Sequence, residues 1–561
     1  MLTDTNSAWL EAFKSKYGYA PRILHIGNIA NNSYNNAKLL NQAGFSNDVI
    51  CYDYYHVMAS PEWEDAEFVG EISDQFKPDW TKVNLNGFVR PKWFAQGVLF
   101  DCVDYLRRNR TRKNTSVSWK RLEKASRQLD GSRLERRIAF LRNALQKGLF
   151  IFSSKQSSAF CFLRQGFTRR FGNLVGPLIA YTLTVLIWPF MHPLIRISGK
   201  GRMECERAIQ KCLDDWHAEF PEREPLTQIE LQKFIYTSSR FMAEWRSLFA
   251  CYDIVLAYST DPIIPMLSEV PYFAFEHGTI REIPFKNDVL GKVTALSYRK
   301  AEHVFVTNFD CLPNAKILSP EKFTLINHPY DEDHGLSVVG YEGLRSSLQL
   351  QLDADFLFFF PTRQDWVHGT GYADKANDVF WRAFGALVRE GWKVGVICCE
   401  WGKNIEESRD LIEREGGAGK VLWVKPMANV NFERMARACD IVVDQFKLGA
   451  FGGVVFKAMA VGAPILTYLE ASKLLDQYSE MPPIVNCESS KEIVEKISLL
   501  LHNRHEIHRL GEASRSWIKR HHAKQATVNL QVDQFRNFLS SKQAIDSVKQ
   551  PEQLGIYDRP H

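Results

Sequence analysis

The amino-acid sequence predicts an α/β protein with two parallel-sheet domains. Its 561 residues are 45% hydrophobic, which is enough to form more than one buried core. Residues 356–502 alternate segments of helical periodicity with the apolar runs FLFFF, WKVGVICCE, KVLWV, DIVVD and PILTY. A second series begins at RILHI and NDVICY and resumes at DIVLAYS, YFAFE, HVFVT and FTLIN. Alternating strands and helices of this spacing are typical of parallel sheets with helices on both faces, so we expect two Rossmann-like domains facing a cleft.

The interruption in the second series sets the predicted domain boundaries. We expect an N-terminal Rossmann-like domain formed by residues 1–54 and 251–330. A large, mostly helical insertion covers 55–250 between these two pieces. The C-terminal Rossmann-like domain covers 331–540, and residues 541–561 form a tail. Ligands of open parallel sheets bind beyond the carboxyl ends of the strands, so the loops that follow the strands are the places to look for a site.

The insertion is basic in its first part. Between residues 107 and 147 all but three of the charged side chains are Lys or Arg. Such a segment can be a solvated helical face, or it can bind nucleic acid, anionic lipid or a phosphorylated substrate. We expect no nucleic-acid partner, because the apolar sequence that follows favours an anionic membrane surface contacted through 107–202.

That apolar sequence contains no charged residue from 171 to 195 and is flanked by arginines. Its length matches a membrane span, but Pro177, Pro189 and Pro193 interrupt a helix. We expect a membrane-associated element over 148–197, re-entrant or interfacial, and a buried helical hairpin is the alternative. The N-terminus has acidic and polar residues where a secretory signal has an apolar stretch, and the 11 cysteines include no CxxC pair. We therefore expect a cytoplasmic protein, at the inner face of the cytoplasmic membrane if the apolar element contacts lipid.

Two cations follow the first strand of the C-terminal domain. The run PTRQDWVHGTGYADK places Arg363 and Lys375 in and just beyond a loop at the carboxyl end of FLFFF. Two fixed cations at that edge can hold a diphosphate and stabilise its charge as it leaves. Basic residues in loops are usually exposed to solvent and have no ligand. The position of Arg363 and Lys375 beyond the carboxyl end of a parallel strand nevertheless favours a role in binding a diphosphate.

A glycine-rich turn follows DIVVD. The chain runs from Asp444 as DQFKLGAFGGVVFKAMAVGAPILTY, with Gly452 and Gly453 at the predicted start of a helix. Glycines allow a ligand to approach the backbone closely, and the start of a helix offers free amide groups to an anion. Tight packing alone would also explain such a turn.

These runs, together with EWG at residues 400–402, resemble the donor domain of retaining GT-B glycosyltransferases, in particular the large family 4. The likeness is good over roughly residues 350–480 and looser over the N-terminal strands. It implies transfer of a sugar, with retention, from a nucleoside diphosphate donor to a glycan or lipid-linked acceptor in cell-surface polysaccharide or glycoconjugate synthesis. It implies catalytic roles for Arg363 and Lys375 and no cofactor besides the nucleotide sugar as co-substrate. The donor-binding residues that it implies are Glu400, Trp401, Gly402, Asp444, Gln445, Gly449, Phe451, Gly452, Gly453 and Lys457.

One departure from the family concerns the nucleotide ribose. The family usually has two glutamates, eight positions apart, around the glycine turn, and the second holds the ribose. Gly449 and Lys457 occupy these positions in this chain. Either the donor is held differently or donor binding has been lost.

The N-terminal run YFAFEHGTIREIPF resembles the family as well, and it makes His277 the third catalytic candidate. An isolated histidine at a strand end is otherwise an ordinary loop or core residue. The loop GNIANNSYNN after the first strand resembles the acceptor side of such enzymes, although asparagines are also common helix caps. The predicted acceptor-binding residues are Gly27, Asn28, Asn31, Asn32 and Glu276.

Other classes of protein stay open. A non-catalytic GT-B-fold glycan-binding or scaffold protein would explain the missing ribose carboxylate, and an epimerase acting on a nucleotide sugar can use the same fold. The sequence contains no P-loop, no HExxH and no Gly-x-Ser-x-Gly. The segment Asp353-Ala354-Asp355 has the DxD form used by metal-dependent glycosyltransferases of another fold. It precedes its strand and therefore lies at the wrong end of the sheet, so no metal site is predicted.

Overall fold

The computed structural model describes residues 1–52, 54–68, 70–72, 74–127, 206–238, 243–337, 339–369 and 374–549. The apolar stretch 171–195 and the whole predicted membrane-associated element, 148–197, lie outside these residues. No helix among them is both long and apolar enough to cross a membrane.

Two fully parallel sheets form the two domain cores, which confirms the predicted fold class of two Rossmann-like domains. The first sheet has seven strands in the order β3-β2-β1-β4-β5-β6-β7. Its strands are β1 (Arg22–Ile26), β2 (Ser46–Tyr52), β3 (Phe94–Gly97), β4 (Ile254–Tyr258), β5 (Phe273–Phe275), β6 (His303–Val306) and β7 (Phe323–Leu325).

The second sheet has six strands in the order β10-β9-β8-β11-β12-β13. The FLFFF run forms a strand with all five residues buried, as expected for a central parallel strand covered on both faces. The strands are β8 (Phe356–Phe360), β9 (Val394–Cys399), β10 (Val421–Val424), β11 (Ile441–Val443), β12 (Ile465–Thr467) and β13 (Val485–Asn486).

Helices cover both faces of each sheet. Those of the N-terminal part are Asp4–Tyr17, Asn32–Gln42, Pro61–Asp65, Leu99–Arg110, Ser116–Arg127, 206–219, Gln228–Ser238, Ala243–Phe249, Ile263–Leu267, Val289–Arg299 and Leu312–Leu318. Those of the C-terminal part are Tyr341–Leu352, Asn377–Arg389, Ile405–Arg414, Asn429–Ala438, Gly453–Ala460, Ala471–Tyr478, Ser490–His502, Arg504–His521 and Lys524–Lys549.

The strand order locates the ligand-binding edge of each domain. In the first sheet the order reverses between β1 and β4, and in the second it reverses between β8 and β11. The crevice of an open parallel sheet lies at such a switch point, beyond the carboxyl ends of the strands. The loops that follow these four strands should therefore carry the site.

The predicted insertion contributes to the first sheet. Strand β3 lies within 55–250 and pairs in parallel with β2, so the sheet extends beyond the predicted boundary at residue 54. The described part of the basic segment is also partly neutralised. Arg110 forms an ion pair of 2.5 Å with the buried Asp48, and Arg108 pairs with Asp104 at 2.8 Å.

The last helix, Lys524–Lys549, returns from the C-terminal domain to the N-terminal one. Its side chains Val528, Val532 and Phe535 are buried in the same cluster as Leu10 and Phe13 of the first helix. The helix therefore completes the core of the N-terminal domain, although the prediction assigned residues up to 540 to the C-terminal domain and the remainder to a tail.

The short helix Pro61–Asp65 connects the two domains directly. Glu64 forms an ion pair with Lys457 at 3.2 Å, and Glu67 pairs with Arg434 at 2.7 Å. An apolar cluster beneath these pairs joins Trp63 of the N-terminal domain to Ala428 of the C-terminal domain. Polar and apolar contacts thus hold the two domains together on one side of the cleft.

Candidate functional site

The C-terminal switch point joins the ends of β8 and β11. The hydroxyl of Thr362 donates a 2.7 Å hydrogen bond to Oδ1 of Asp444, which is 4% exposed. Oδ2 of Asp444 has no hydrogen-bond partner among the described residues, and a Cβ on Gly452 would lie only 2.4 Å from it. Burial raises the pKa of the Asp444 carboxyl, while Lys375 and Thr362 oppose that shift. The glycine turn therefore packs directly on a buried carboxylate.

The two predicted cations lie next to this carboxylate. Lys375 Nζ is 3.5 Å from Oε1 of Gln445, and Arg363 Nη1 is 3.3 Å from Oδ2 of Asp365. Burial lowers the pKa of the Lys375 amine; Asp444 opposes this shift, and Arg363 adds to it. Two cations, Arg363 and Lys375, and two carboxylates, Asp365 and Asp444, thus lie together at the switch point.

A third cation comes from the N-terminal domain. Arg281 follows β5 and donates from Nε and Nη2 to the carboxylate of Asp310, at 2.6 and 3.0 Å. Phe309, the neighbour of Asp310, packs edge-on against Phe451 of the glycine turn with 6.2 Å between centroids, and the charge of Arg281 adds to the lowering of the Lys375 pKa. Gly278 has a φ of +85°, and a Cβ there would lie 2.5 Å from Nη1 of Arg281. The glycine therefore leaves room for the guanidinium to lie over the loop.

His277 lies where the domains meet. Its ring packs edge-on against His328, with 5.3 Å between centroids, and His328 contacts Phe456 of the C-terminal domain. Nδ1 of His277 is buried and has no partner within the described part of the chain. Burial lowers the pKa of His277 to about 4, and Arg281 adds to the shift. The ring is therefore neutral near pH 7 and can donate or accept one hydrogen bond.

Glu276 is fully buried beside the cleft and does not open into it. Its Oε1 accepts from the thiol of Cys311 at 3.6 Å, and its Oε2 lacks a partner among the residues that are described. Burial raises the pKa of Glu276 to about 7, and Arg281 opposes the shift. The buried carboxyl therefore takes up a proton more readily than an exposed glutamate does.

The EWG loop packs on the loop that carries Arg363. Gln364 N donates to the carbonyl of Trp401 at 2.9 Å, and the Trp401 indole donates to the carbonyl of Pro361 at 2.7 Å. Gly402 has a φ of +109° and approaches the backbone of Gln364. The Glu400 side chain instead pairs with Arg409 at 2.7 Å and Lys425 at 2.5 Å. The EWG loop therefore contacts the loop that carries Arg363 mainly through backbone groups, and the Glu400 side chain is not part of that contact.

The other predicted residues of the glycine turn have different surroundings. Gln445 donates to the carbonyl of Ala450 at 3.0 Å and shapes the turn. Gly449 has a φ of +69° and contacts Glu470. Phe451 is 7% exposed and lies in the core. Gly453 is exposed at the start of Gly453–Ala460, and a Cβ there would meet no atom within 4 Å.

Lys457 points across the cleft. Its amine lies 3.2 and 3.4 Å from the two carboxylate oxygens of Glu64. Burial acts to raise the pKa of Glu64, but Lys457 and Lys38 lower it overall. A carboxylate from the N-terminal domain therefore lies beside the position where the sequence lacks its expected acid.

The first loop is internally hydrogen-bonded. The Asn28 side chain donates to Asn31 and to the carbonyl of Ala59, each at 2.9 Å, and Asn31 donates to the carbonyl of Ser60 at 2.9 Å. The Asn32 amide donates to the carbonyl of Ile29. A Cβ on Gly27 would lie 2.3 Å from Oδ2 of Asp261 at the N-terminal switch point. These side chains fix the shape of the loop, and their role in acceptor binding stays a prediction.

The sequence patterns do not indicate four residues of this site, Arg281, Asp310, Thr362 and Glu64. Arg281 stands four residues after His277 in the same loop, and this spacing is the signal that could have indicated it. The pairing of Glu64 with Lys457 joins residues 393 positions apart, and no local pattern reveals it.

No family model matches the chain, and no curated protein matches it either. Solved structures that resemble it include Anabaena HepE in complex with UDP and glucose, with 16% identity over 59% of this chain and 96% of that chain and a TM-score of 0.43. Sucrose-phosphate synthase from Thermosynechococcus elongatus is 15% identical over 57% of this chain and 82% of that chain, with a TM-score of 0.42. The S. aureus MnaA–UDP structure has 13% identity, coverage of 60% and 94%, and a TM-score of 0.39. Likeness of this extent carries no conclusion about activity.

Proposed function

We propose that the chain is a glycosyltransferase of the GT-B type that transfers a sugar from a nucleoside diphosphate donor to a glycan or lipid-linked acceptor, with retention. The observation that carries this proposal is that Arg281, Arg363 and Lys375 all lie in segments that follow carboxyl ends of strands, in two domains joined by the packing of Phe309 on Phe451. Each cation has a carboxylate nearby, Asp310 for Arg281, Asp365 for Arg363 and Asp444 for Lys375. Guanidinium and ammonium groups have more N–H donors than these contacts use, and a diphosphate can accept hydrogen bonds from the others.

Each element of the site has a role in this proposal. Arg363 and Lys375 hold the diphosphate from the C-terminal side and stabilise its charge as the glycosidic bond breaks. Gly452 and Gly453 let it approach the free amide groups of the helix. Arg281 contacts it from the N-terminal side, oriented by its two bonds to Asp310. The neutral ring of His277 orients the sugar between the domains.

The test compares nucleotide-induced shifts in melting temperature for the wild type, Arg281→Gln and Arg299→Gln. Binding to the native state raises its apparent stability. We expect UDP, GDP or ADP to stabilise the wild type more than the matching monophosphate does. Arg281→Gln should weaken diphosphate binding about tenfold to a hundredfold, the cost of a lost charge-assisted hydrogen bond, and leave monophosphate binding nearly unchanged.

Arg299 is a matched control. Its side chain is 23% exposed, against 17% for Arg281, and it also pairs with a carboxylate, Glu219, at 3.2 Å. Arg299→Gln should keep the full diphosphate response. If no nucleotide stabilises the folded wild type, the proposed function is wrong. If Arg281→Gln responds like the wild type, Arg281 does not contact the phosphates.

The pair formed by Lys457 and Glu64 favours a second candidate, a non-catalytic glycan-binding protein on the same fold. In that case Lys457 serves only to hold the domains together, and no nucleotide binds. Saccharide binding without any nucleotide response would support this candidate. For either candidate function, we also propose that the protein lies at the inner face of the cytoplasmic membrane and contacts it through the basic and apolar insertion.

A further inference from the structure

Three aromatic side chains form a partly exposed surface after β2. The rings of Tyr54 and His56 are nearly parallel, at 13°, with centroids 6.3 Å apart. Phe76 packs edge-on against His56 at 5.0 Å. Tyr54 is 39% exposed and Phe76 is 71% exposed. Such clustered apolar surface outside the core marks an interaction site more often than scattered exposed residues do.

Backbone contacts hold this aromatic surface in place. The Gln96 side chain donates to the carbonyl of Tyr54 at 3.0 Å, and Val57 N donates to the carbonyl of Gln75 at 2.7 Å. Phe76 N donates to the side chain of Asp74 at 2.8 Å. Both chain segments that carry the rings are therefore positioned before any ligand arrives, which lowers the entropy cost of binding.

The aromatic surface lies at the cleft. The turn after His56 leads into the helix Pro61–Asp65, whose Glu64 lies 3.2 Å from Lys457 of the C-terminal domain. Burial lowers the pKa of His56, and the charge of Arg363 adds to that shift. A molecule bound on Tyr54, His56 and Phe76 would therefore be beside the proposed diphosphate site.

His56 also supplies a polar group of known orientation. Its Nδ1 accepts a 3.2 Å hydrogen bond from the backbone amide of Met58, so in the neutral ring the proton is on Nε2. The surface thus combines flat apolar rings with a hydrogen-bond donor. A pyranose matches this combination, because it has an apolar C–H face and hydroxyl groups along its edge.

We propose that Tyr54, His56 and Phe76 form the subsite for a sugar ring of the acceptor glycan. This inference rests on the proposed function, since it places the acceptor beside the donor diphosphate. The first loop has a supporting role in it, because Asn28 and Asn31 donate to the carbonyls of Ala59 and Ser60 and so fix the turn that follows His56.

The experiment uses saturation-transfer NMR on the full chain, with UDP present. The probes are the methyl glycosides of glucose, galactose, mannose and N-acetylglucosamine, and octyl glucoside. We expect saturation of the sugar ring protons of at least one probe with the wild type. Tyr54→Ala and Phe76→Ala should each weaken that binding about fivefold to tenfold, in line with the loss of one aromatic contact.

Tyr17→Ala is the matched control, since Tyr17 is 38% exposed and lies on the first helix, and it should bind the probes like the wild type. The nucleotide-induced shift in melting temperature should be equal in all variants, which shows that they are folded. Unchanged saturation in Tyr54→Ala and Phe76→Ala overturns the subsite, as does a wild type that binds nucleotide but no probe. Saturation confined to the octyl protons overturns it in favour of an alkyl ligand. Ring-proton saturation without any nucleotide response supports the subsite and contradicts the proposed transferase.

Discussion

Gly452 and Gly453, in the turn after β11, differ in the space that surrounds them. This difference decides whether each position can accept a larger side chain. Gly452 precedes the helix Gly453–Ala460 with ordinary extended backbone, yet it has no room for a Cβ because Asp444 lies beneath it. Gly453 begins the helix and faces open space. In this motif, Gly452 is needed for close packing on Asp444, whereas Gly453 leaves the start of the helix accessible.

We expect Gly452→Ala and Gly453→Ala to have opposite effects on stability. The new Cβ in Gly452→Ala must displace Asp444, whose bond to Thr362 would be strained or lost, at a cost of about 1–3 kcal/mol. Gly453→Ala should stabilise the chain by up to about 1 kcal/mol, because alanine favours the helix. Chemical denaturation of the two variants and the wild type measures both effects. Equal free energies of unfolding for the two variants would contradict this account.

At the scale of the elements, two loops act as one unit at the C-terminal switch point. The loop after β8 carries Arg363, and the EWG loop after β9 supports it through the close approach of Gly402 to Gln364. The position of Arg363 therefore depends on Gly402, which need not contact the ligand.

Gly402→Ala should accordingly destabilise the chain and weaken nucleotide binding together. A Cβ there would lie 2.5 Å from the backbone of Gln364, and the φ of +109° is itself unfavourable for alanine. Gly419 is a control for the effect of positive φ alone, since its φ is +78° and a Cβ there would meet nothing within 4 Å. We expect Gly419→Ala to cost about 1–2 kcal/mol and Gly402→Ala clearly more. Similar melting temperatures for the two variants would count against the coupling of the loops.

The apolar runs predicted most of the elements, because a buried parallel strand must be apolar on both faces. Strand β3 was missed because it is short and contains Gln96, whose polarity is satisfied by Arg90 at 2.8 Å. The motifs indicated Arg363, Lys375 and Asp444, which follow strands of one sheet. They did not indicate Arg281 as a partner of these residues, since a contact between domains leaves no periodic signal in the sequence.

At the scale of the whole molecule, a polar network around Glu433 lies where the two domains meet. Tyr330 donates to Glu433 at 2.7 Å, and Nδ1 of His334 is 3.0 Å from the other oxygen of the same carboxylate. Nε2 of His334 is 3.9 Å from Asp65 of the N-terminal domain. One histidine thus lies between acids of both domains, and its protonation should affect the contact between them.

The pH dependence of stability should report this network. The hydrogen bond to Glu433 raises the pKa of His334, burial opposes the shift, and the charge of Glu433 adds to it. The folded state therefore holds the proton more tightly than the unfolded state does. The stabilisation is complete below the usual pKa of 6.5 and is lost as the pH rises through the raised value. The difference in melting temperature between the wild type and His334→Gln should shrink from pH 6 to pH 8.5.

His303→Gln is a control of opposite sign. Burial lowers the pKa of His303 to about 4, so its contribution should increase as the pH rises from 4 to 6.5 and stay constant above. A difference for His334→Gln that is constant from pH 6 to pH 8.5 would show that its protonation does not stabilise the domain contact.

The helix Lys524–Lys549 has a consequence for the order of events during synthesis. The N-terminal domain is translated first, yet its core lacks Val528, Val532 and Phe535 until the helix Lys524–Lys549, which follows the whole second sheet, leaves the ribosome. All strands of the second sheet lie between residues 356 and 486, so the C-terminal domain can form while the first domain is still incomplete. The domain that emerges first would then finish folding last, and its exposed apolar face would depend on chaperones in the interval.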